Sequence, residues 1–129
     1  MIEVEHLTQH YGLRPILRDV SLSVTEGEIL VVMGPNGSGK TTLLATVGGV
    51  HAPQVGTVRI GGKVRRASVE EELAIRRQAV YLPDQLWMPR LRTGREWLLS
   101  VGKLYGIPDL QLMEHAGRLL DLFDLTSRA

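Results

Sequence analysis

Residues 34–42 read GPNGSGKTT, and no other stretch restricts the fold as tightly. Gly34, Gly37 and Gly39 lead into Lys40, Thr41 and Thr42, with Pro35, Asn36 and Ser38 between the glycines. The phosphates of a nucleotide crowd several negative charges into a small volume. Backbone N–H groups can meet that charge from several sides, provided the loop wraps around it. Glycine permits the backbone angles and the close approach that a Cβ would block. Lys40 stands at the start of the next helix, where its ammonium can sit between the β and γ phosphates. The helix N-terminus adds partial positive charge there. Thr41 can offer its hydroxyl to Mg2+, and Thr42 can reach the α-phosphate.

Such a loop works only between a strand and a helix. Residues 28–33, EILVVM, are a short β-rich apolar run, which predicts a strand covered on both faces. KTTLLATV after the loop predicts a helix that ends at Gly48-Gly49. Both flanks fit, so the chain is expected to bind nucleotide phosphates.

Other elements follow from periodicity. IEVEHLT, residues 2–8, alternates as a half-buried strand does. A turn at Tyr11-Gly12 leads to a second strand through Val20, Leu22 and Val24, broken at Glu26-Gly27. GTVRIGGKV, residues 56–64, predicts a strand with a glycine turn, and QAVYL, residues 78–82, predicts a strand stopped by Pro83. Ser68 with Glu71 and Thr93 with Glu96 are capping-box pairs. They open predicted helices over 69–77 and through Trp97, Leu98, Val101, Leu104 and Tyr105 to Gly106 and Pro108. A last helix over about 109–123 sets Leu112, Met113, Ala116, Leu119, Leu120 and Phe123 on one face.

A chain of 129 residues holds one domain at most. Fifteen Lys plus Arg against fourteen Asp plus Glu give no bulk charge that would favour nucleic acid. Residues 59–103 hold ten basic and five acidic side chains, either a solvated polar face or a surface near phosphate or anionic lipid. Without cysteine there is no disulfide framework and no thiolate chemistry, which suits a reducing cytosol. His6, His10, His51 and His115 form no metal constellation; His6 and His10 lie in strand and turn, about 13 Å apart at that spacing. The apolar run Ile29 to Met33 is far too short for a bilayer, and no signal-peptide pattern opens the chain. A soluble, intracellular protein is expected.

Taken in order, the segments resemble the ATP-binding subunit of ABC transporters. VSLSVTEGEILVVM followed by GPNGSGKTTLL is similar to that family's loop and approach, and PQVGTVRIGGK to its P-x-x-G-x-[VI] strand and turn. HLTQHYG resembles its opening strand, and YLPDQLWMPRLRTGREWLLSVGKLYGIP resembles its Q-loop and the start of its helical subdomain. The likeness runs through essentially all 129 residues. It implies an α/β fold: a P-loop NTPase (RecA-like) core with N-terminal antiparallel β-strands and the start of a helical subdomain, an incomplete domain. Residues 1–83 would be the nucleotide-binding core and β-subdomain, and 84–129 the Q-loop and start of the helical subdomain.

The resemblance also implies roles. Tyr11 would stack on adenine; the plainer alternative is packing at a strand end. Trp97 would pack on its helix, while Trp87 could pack or meet a membrane partner. The family usually has Gln after Y-h-P, and here the position is Asp84, with Gln85 next. A carboxylate is a harder ligand for Mg2+ and can accept a proton. Three readings stay open: Asp84 in a variant Q-loop, Gln85 in that role, or a loop aspartate capping nearby backbone. Lys40, Asp84 and Gln85 are thus the catalytic candidates, and Thr41 and Asp84 the metal candidates.

The implied function is ATP-driven transport with ATP and Mg2+ as cofactors. Partners would be a second ATP-binding subunit, clamped head to tail, and a transmembrane permease on whose cytoplasmic face the subunit sits. Direct nucleic-acid binding is not expected. The segment YLPD…TGREW is most similar to exporter-type subunits. The family's later motifs are missing: no SGGQ-like run occurs, and no histidine lies in a suitable strand. LLDLFD, residues 119–124, has the letters of the catalytic strand but helical spacing, with Asp121 on a polar face beside Glu114 and Arg118. AVYLPD, residues 79–84, would make Asp84 a Mg2+ carboxylate in a different phosphate-loop NTPase. The chain is expected to be the N-terminal part of a longer subunit, to bind ATP without efficient hydrolysis, and to expose apolar surface. The alternatives are a nucleotide-binding module without catalysis, a non-transport ABC ATPase acting on nucleic acid, and a small kinase with Arg90, Arg92 and Arg95 in a lid.

Overall fold

The structure, a computed structural model, describes residues 1–85 and 91–128. Two compact units divide the chain, Met1–Asp84 and Gln85–Ala129. Trp87 and Arg90, singled out above, lie outside the described residues.

The first unit is built on an antiparallel sheet of β1 (Ile2–Tyr11), β2 (Arg14–Val24), β3 (Val55–Ile60) and β4 (Lys63–Val64), in the order β2-β1-β3-β4. Val4 pairs with Leu22 on one side and Val58 on the other, so alternating apolar residues gather on one face. Val4 and Leu7 are both buried although three residues apart, a spacing that would put them on opposite faces of a regular strand. A bulge between them restores the phase: the register shifts there, and His6 has φ 51°. Asp19 across from it has the same φ of 51°. Local polar groups satisfy the irregularity: the His6 N–H donates to Ser21 Oγ at 3.0 Å, and His6 Nδ1 lies 2.6 Å from Asp19 Oδ1.

Helix α1 (Lys40–Val47) sets Leu43 into the cluster of Val4, Leu7, Leu17, Val58, Ile60 and Ile75. Thr46 is fully buried on the same helix and donates its hydroxyl to the Thr42 carbonyl at 2.7 Å. Helix α2 (Val69–Arg76) contributes Ile75, and Ser68 caps it by accepting from the Glu71 N–H at 3.1 Å. The capping box is only half made, because the Glu71 carboxylate accepts instead from the Val64 N–H at 2.8 Å.

Two readings from the sequence need correction. EILVVM and QAVYL, predicted as strands, form no ladder among the described residues. Ile29 is 88% exposed, Met33 86% and Val80 79%; only Val32 and Ala79 pack against the core. A strand covered on both faces needs hydrogen-bonding neighbours on its flanks. The four described strands pair among themselves and take neither run into the sheet. The expected apolar surface is therefore present.

The second unit holds α3 (Gly94–Leu104) and α4 (Asp109–Leu122), followed by a 3-10 turn over Thr126–Arg128. Here the capping box is complete: the Glu96 N–H donates to Thr93 Oγ1, and the Thr93 N–H donates to Glu96 Oε2 at 2.9 Å. The helices cross closely at Gly102, where a Cβ would fall 1.9 Å from Leu112 Cδ2. Leu112, Ala116 and Leu120 are buried, whereas Met113, Leu119 and Phe123 of the predicted face are exposed. A single neighbouring helix covers only the i, i+4, i+8 stripe. Trp97 is half-buried on α3, and no helix among the described residues is long and apolar enough to cross a membrane.

Candidate nucleotide site

The glycine-rich loop is bent in the way its composition allows. Gly37 and Gly39 have φ 81° and 94°, left-handed angles that an L side chain rarely adopts. Space is also short at Gly39, whose added Cβ would lie 2.9 Å from Leu17 Cδ2 and 3.1 Å from the Ile16 carbonyl. The loop is thus pressed onto β2. Its turn closes with Ser38 N–H donating to the Pro35 carbonyl at 3.3 Å, and α1 begins with Leu43 N–H donating to the Gly39 carbonyl at 2.8 Å.

Lys40 folds back across the loop. Its ammonium donates to the carbonyls of Gly34 and Pro35, each at 2.7 Å, and lies 3.5 Å from Ser38 Oγ. The cation is therefore held against the loop backbone, next to the N-terminus of α1. Next to it lies a cavity of about 320 Å³ lined by Tyr11, Ile16, Asn36, Gly37, Gly39, Lys40, Thr41 and Thr42. The aromatic and the phosphate-loop residues expected from sequence thus share one cavity, with Tyr11 57% exposed at the end of β1. Gly34, Pro35 and Ser38 bind the lysine rather than line the space. Ile16 was not anticipated from sequence. It sits at the start of β2, before the alternation at Val20 that marked that strand.

Thr41 is exposed within the lining and Thr42 is 8% exposed. No cluster of three or more His, Asp or Glu that could hold a metal occurs among the described residues, and the lining contains no carboxylate. That donor set fits Mg2+ arriving with a polyphosphate, since the ion keeps several waters and takes few protein ligands beside phosphate oxygens. Asp84 is exposed at the close of the first unit and is not among the lining residues; Gln85 is exposed at the start of the second. LLDLFD forms the end of α4 and the turn after it, not a strand, with Glu114 and Arg118 paired on that helix. Asp121 is therefore no strand-end carboxylate.

The far end of α1 is tied down by charge. Arg65, 5% exposed, donates from Nε to the Val47 carbonyl and from its guanidinium to Glu72 Oε1, both at 2.9 Å. Arg76 Nε reaches the same Glu72 oxygen at 3.1 Å. Burial alone would raise the Glu72 pKa, but the Arg76 hydrogen bond and the Arg65 charge outweigh it and leave the carboxyl below its ordinary value. Hydrogen bonds from Arg59 and Thr57, with the Arg59 charge, hold exposed Glu5 low as well. Four of the cations between 59 and 103, Arg59, Arg65, Arg76 and Lys103, are thus engaged with carboxylates, and of these Arg65 is buried.

Comparison with known proteins gives a consistent picture. The family model described as "ABC transporter" matches residues 17–128. The chain is 34% identical over 133 residues to the lipoprotein-releasing system ATP-binding protein LolD of Bacteroides thetaiotaomicron, covering all of this chain and 60% of that protein. To the zinc import ATP-binding protein ZnuC of Jannaschia sp. it is 36% identical over 110 residues, 85% of this chain and 45% of ZnuC. Among solved structures, it is similar to the ATP-binding cassette MJ0796 in a dimeric post-hydrolysis state bound to ADP and Pi. That match has a TM-score of 0.75 and 26% identity, over 94% of this chain and 56% of that one. The chain spans about half the length of the relatives it matches.

Proposed function

Because the chain belongs to the ABC transporter family, we propose that it binds Mg·ATP in the cavity between Tyr11 and Thr42 as the nucleotide-binding part of a transport subunit. One observation carries the reading. The left-handed glycines, the lysine at the start of α1 and the aromatic at the end of β1 face a single cavity.

The loop amides and the α1 N-terminus bind the phosphates, and Lys40 exchanges its carbonyl partners for β- and γ-phosphate oxygens. The exchange is favourable because a phosphate oxygen carries charge and a carbonyl does not. Thr42 would take the α-phosphate and Thr41 would hold Mg2+, which when bound neutralises phosphate charge. Tyr11 offers a flat apolar face to the base. Asp84 in a variant Q-loop, or Gln85 beside it, would read the γ-phosphate end.

These 129 residues alone are expected to bind Mg·ATP without efficient turnover, since the cavity lining holds no carboxylate to position the attacking water and residues 119–124 close a helix rather than a strand. The wider subunit would act as a head-to-tail dimer with a permease on the cytoplasmic face of the membrane. Export is proposed from the likeness of YLPD…TGREW; the relatives include both a releasing system and an importer. Titration calorimetry tests the binding claim. Lys40→Ala should weaken Mg·ATP by about tenfold to a hundredfold, the value of a charge-assisted hydrogen bond. Unchanged affinity would sink the reading, and steady-state phosphate release by the purified chain would remove the claim of no turnover.

A further inference from the structure

β1 pairs with β3 only as far as Thr8 opposite Val55, yet the aromatic that faces the cavity lies three residues further on. The intervening edge is covered by side chains from the segment joining α1 to β3. The His10 N–H donates to Gln54 Oε1 at 2.7 Å, and Gln54 Nε2 donates to the His10 carbonyl at 3.3 Å. A carboxamide carries one acceptor and a donor, as a peptide unit does, so Gln54 extends the ladder where the strand partner stops. Gln9, 7% exposed, holds the same segment from the other side. Its Oε1 accepts from the Gln54 N–H at 3.1 Å and its Nε2 donates to the Ala52 carbonyl at 3.2 Å.

His51 completes the connection. Its N–H donates to the Ala45 carbonyl at 3.3 Å, which keeps it on the last turn of α1. Its ring meets Tyr11 edge to face, with centroids 6.3 Å apart and planes at 89°, and its Nε2 lies 3.4 Å from the Tyr11 hydroxyl. Tyr11 is more than half exposed, so it has little other packing to fix its rotamer.

We infer that His51 and Gln54 are positioning residues for base recognition: they hold the Tyr11 ring over the cavity and anchor it to the far end of the helix whose near end takes the phosphates. The inference rests on the reading of Tyr11 as the adenine platform. A platform already held in place loses less side-chain freedom on binding, so the clamp should favour ligands that have a base and be indifferent to those without one.

The probes are Mg·ATP and inorganic tripolyphosphate with Mg2+, titrated calorimetrically into the purified chain, with circular dichroism checking each variant's fold. His51→Ala and Gln54→Met should each weaken Mg·ATP by about threefold to tenfold, the range of an aromatic edge contact, and leave tripolyphosphate unchanged. In a Tyr11→Ala background the His51→Ala effect should vanish, because His51 acts through that ring. Equal weakening of both ligands would mean a merely structural role and overturn the inference. If Tyr11→Ala weakens Mg·ATP while the His51 and Gln54 variants do not, the clamp fails and the platform stands. If Tyr11→Ala leaves the ATP-to-tripolyphosphate ratio unchanged, the platform reading itself fails and takes the clamp with it. Should Gln54→Met not fold, His51→Ala, whose backbone bond is untouched, decides alone.

Discussion

Replacing Arg65 by alanine should be among the most damaging single changes in the first unit. The side chain of Arg65 is 2% exposed and that of Glu72 14%. Removing one partner of a buried ion pair commonly costs about 3–5 kcal/mol, because the other charge stays buried without compensation. Glu72 keeps Arg76, but that guanidinium is 64% exposed and largely solvated. The Val47 carbonyl also loses its donor at the end of α1. The lower end of the range, about 3 kcal/mol, is expected, and for a unit of this size that lowers the midpoint of melting by about 12–24 °C. Tryptophan fluorescence is the wrong probe: both tryptophans, Trp87 and Trp97, come after Asp84 in the sequence, where the first unit ends. Far-UV circular dichroism combined with hydrogen exchange on the β1 and β3 amides follows the first. Replacing both members, Arg65→Met with Glu72→Leu, should recover much of the loss, since no buried charge is left alone. A single variant that loses less than about 1 kcal/mol would place the pair in the class of weak surface bridges and refute the reasoning.

Two further outcomes are expected. Gly39→Ala should weaken phosphate binding and destabilise the loop by about 1–3 kcal/mol, since the residue has φ 94° and a Cβ would press on Leu17 and the Ile16 carbonyl; wild-type affinity for Mg·ATP in that variant would contradict it. The Glu72 carboxyl is held below its usual 4.5, so its contribution is present at neutral pH and is lost as pH falls below about that value, through its folded pKa. Urea midpoints measured from pH 7 to pH 3 should therefore fall more steeply in the parent than in Glu72→Gln, and parallel curves would exclude the linkage.

Much of the fold could be read because its signals are local. Ser68, Thr93 and Glu96 cap helices where their spacing places them, and the ends of β2 and β3 alternate as strands covered on one face do. EILVVM and QAVYL misled for a physical reason: an apolar run states that residues favour burial but not whether a neighbouring strand is at hand. The six-residue face read on α4 was too broad for the same reason, since its width depends on how many elements pack on it. The phosphate loop was legible because its chemistry is contained in nine consecutive residues, and Tyr11 followed from the resemblance. Ile16, His51 and Gln54 were not, because their contacts with the loop, with Tyr11 and with the His10 backbone depend on strand register and on the path from α1 to β3. The bulge at His6 belongs to the same class: phase reversal in β1 shows only once Val4 and Leu7 are seen on one side.

The phosphate loop is mounted like a cantilever. On its downstream side Gly39 bears on β2 and α1 is tied at its far end, whereas residues 28–33 upstream join no sheet ladder among the described residues. Fixing one residue's backbone costs about 1–2 kcal/mol of conformational entropy, so whatever freedom remains upstream must be surrendered when an anion seats. The ligand thus acts partly as a splint, and its heat of binding should carry the signature of whatever ordering that segment undergoes.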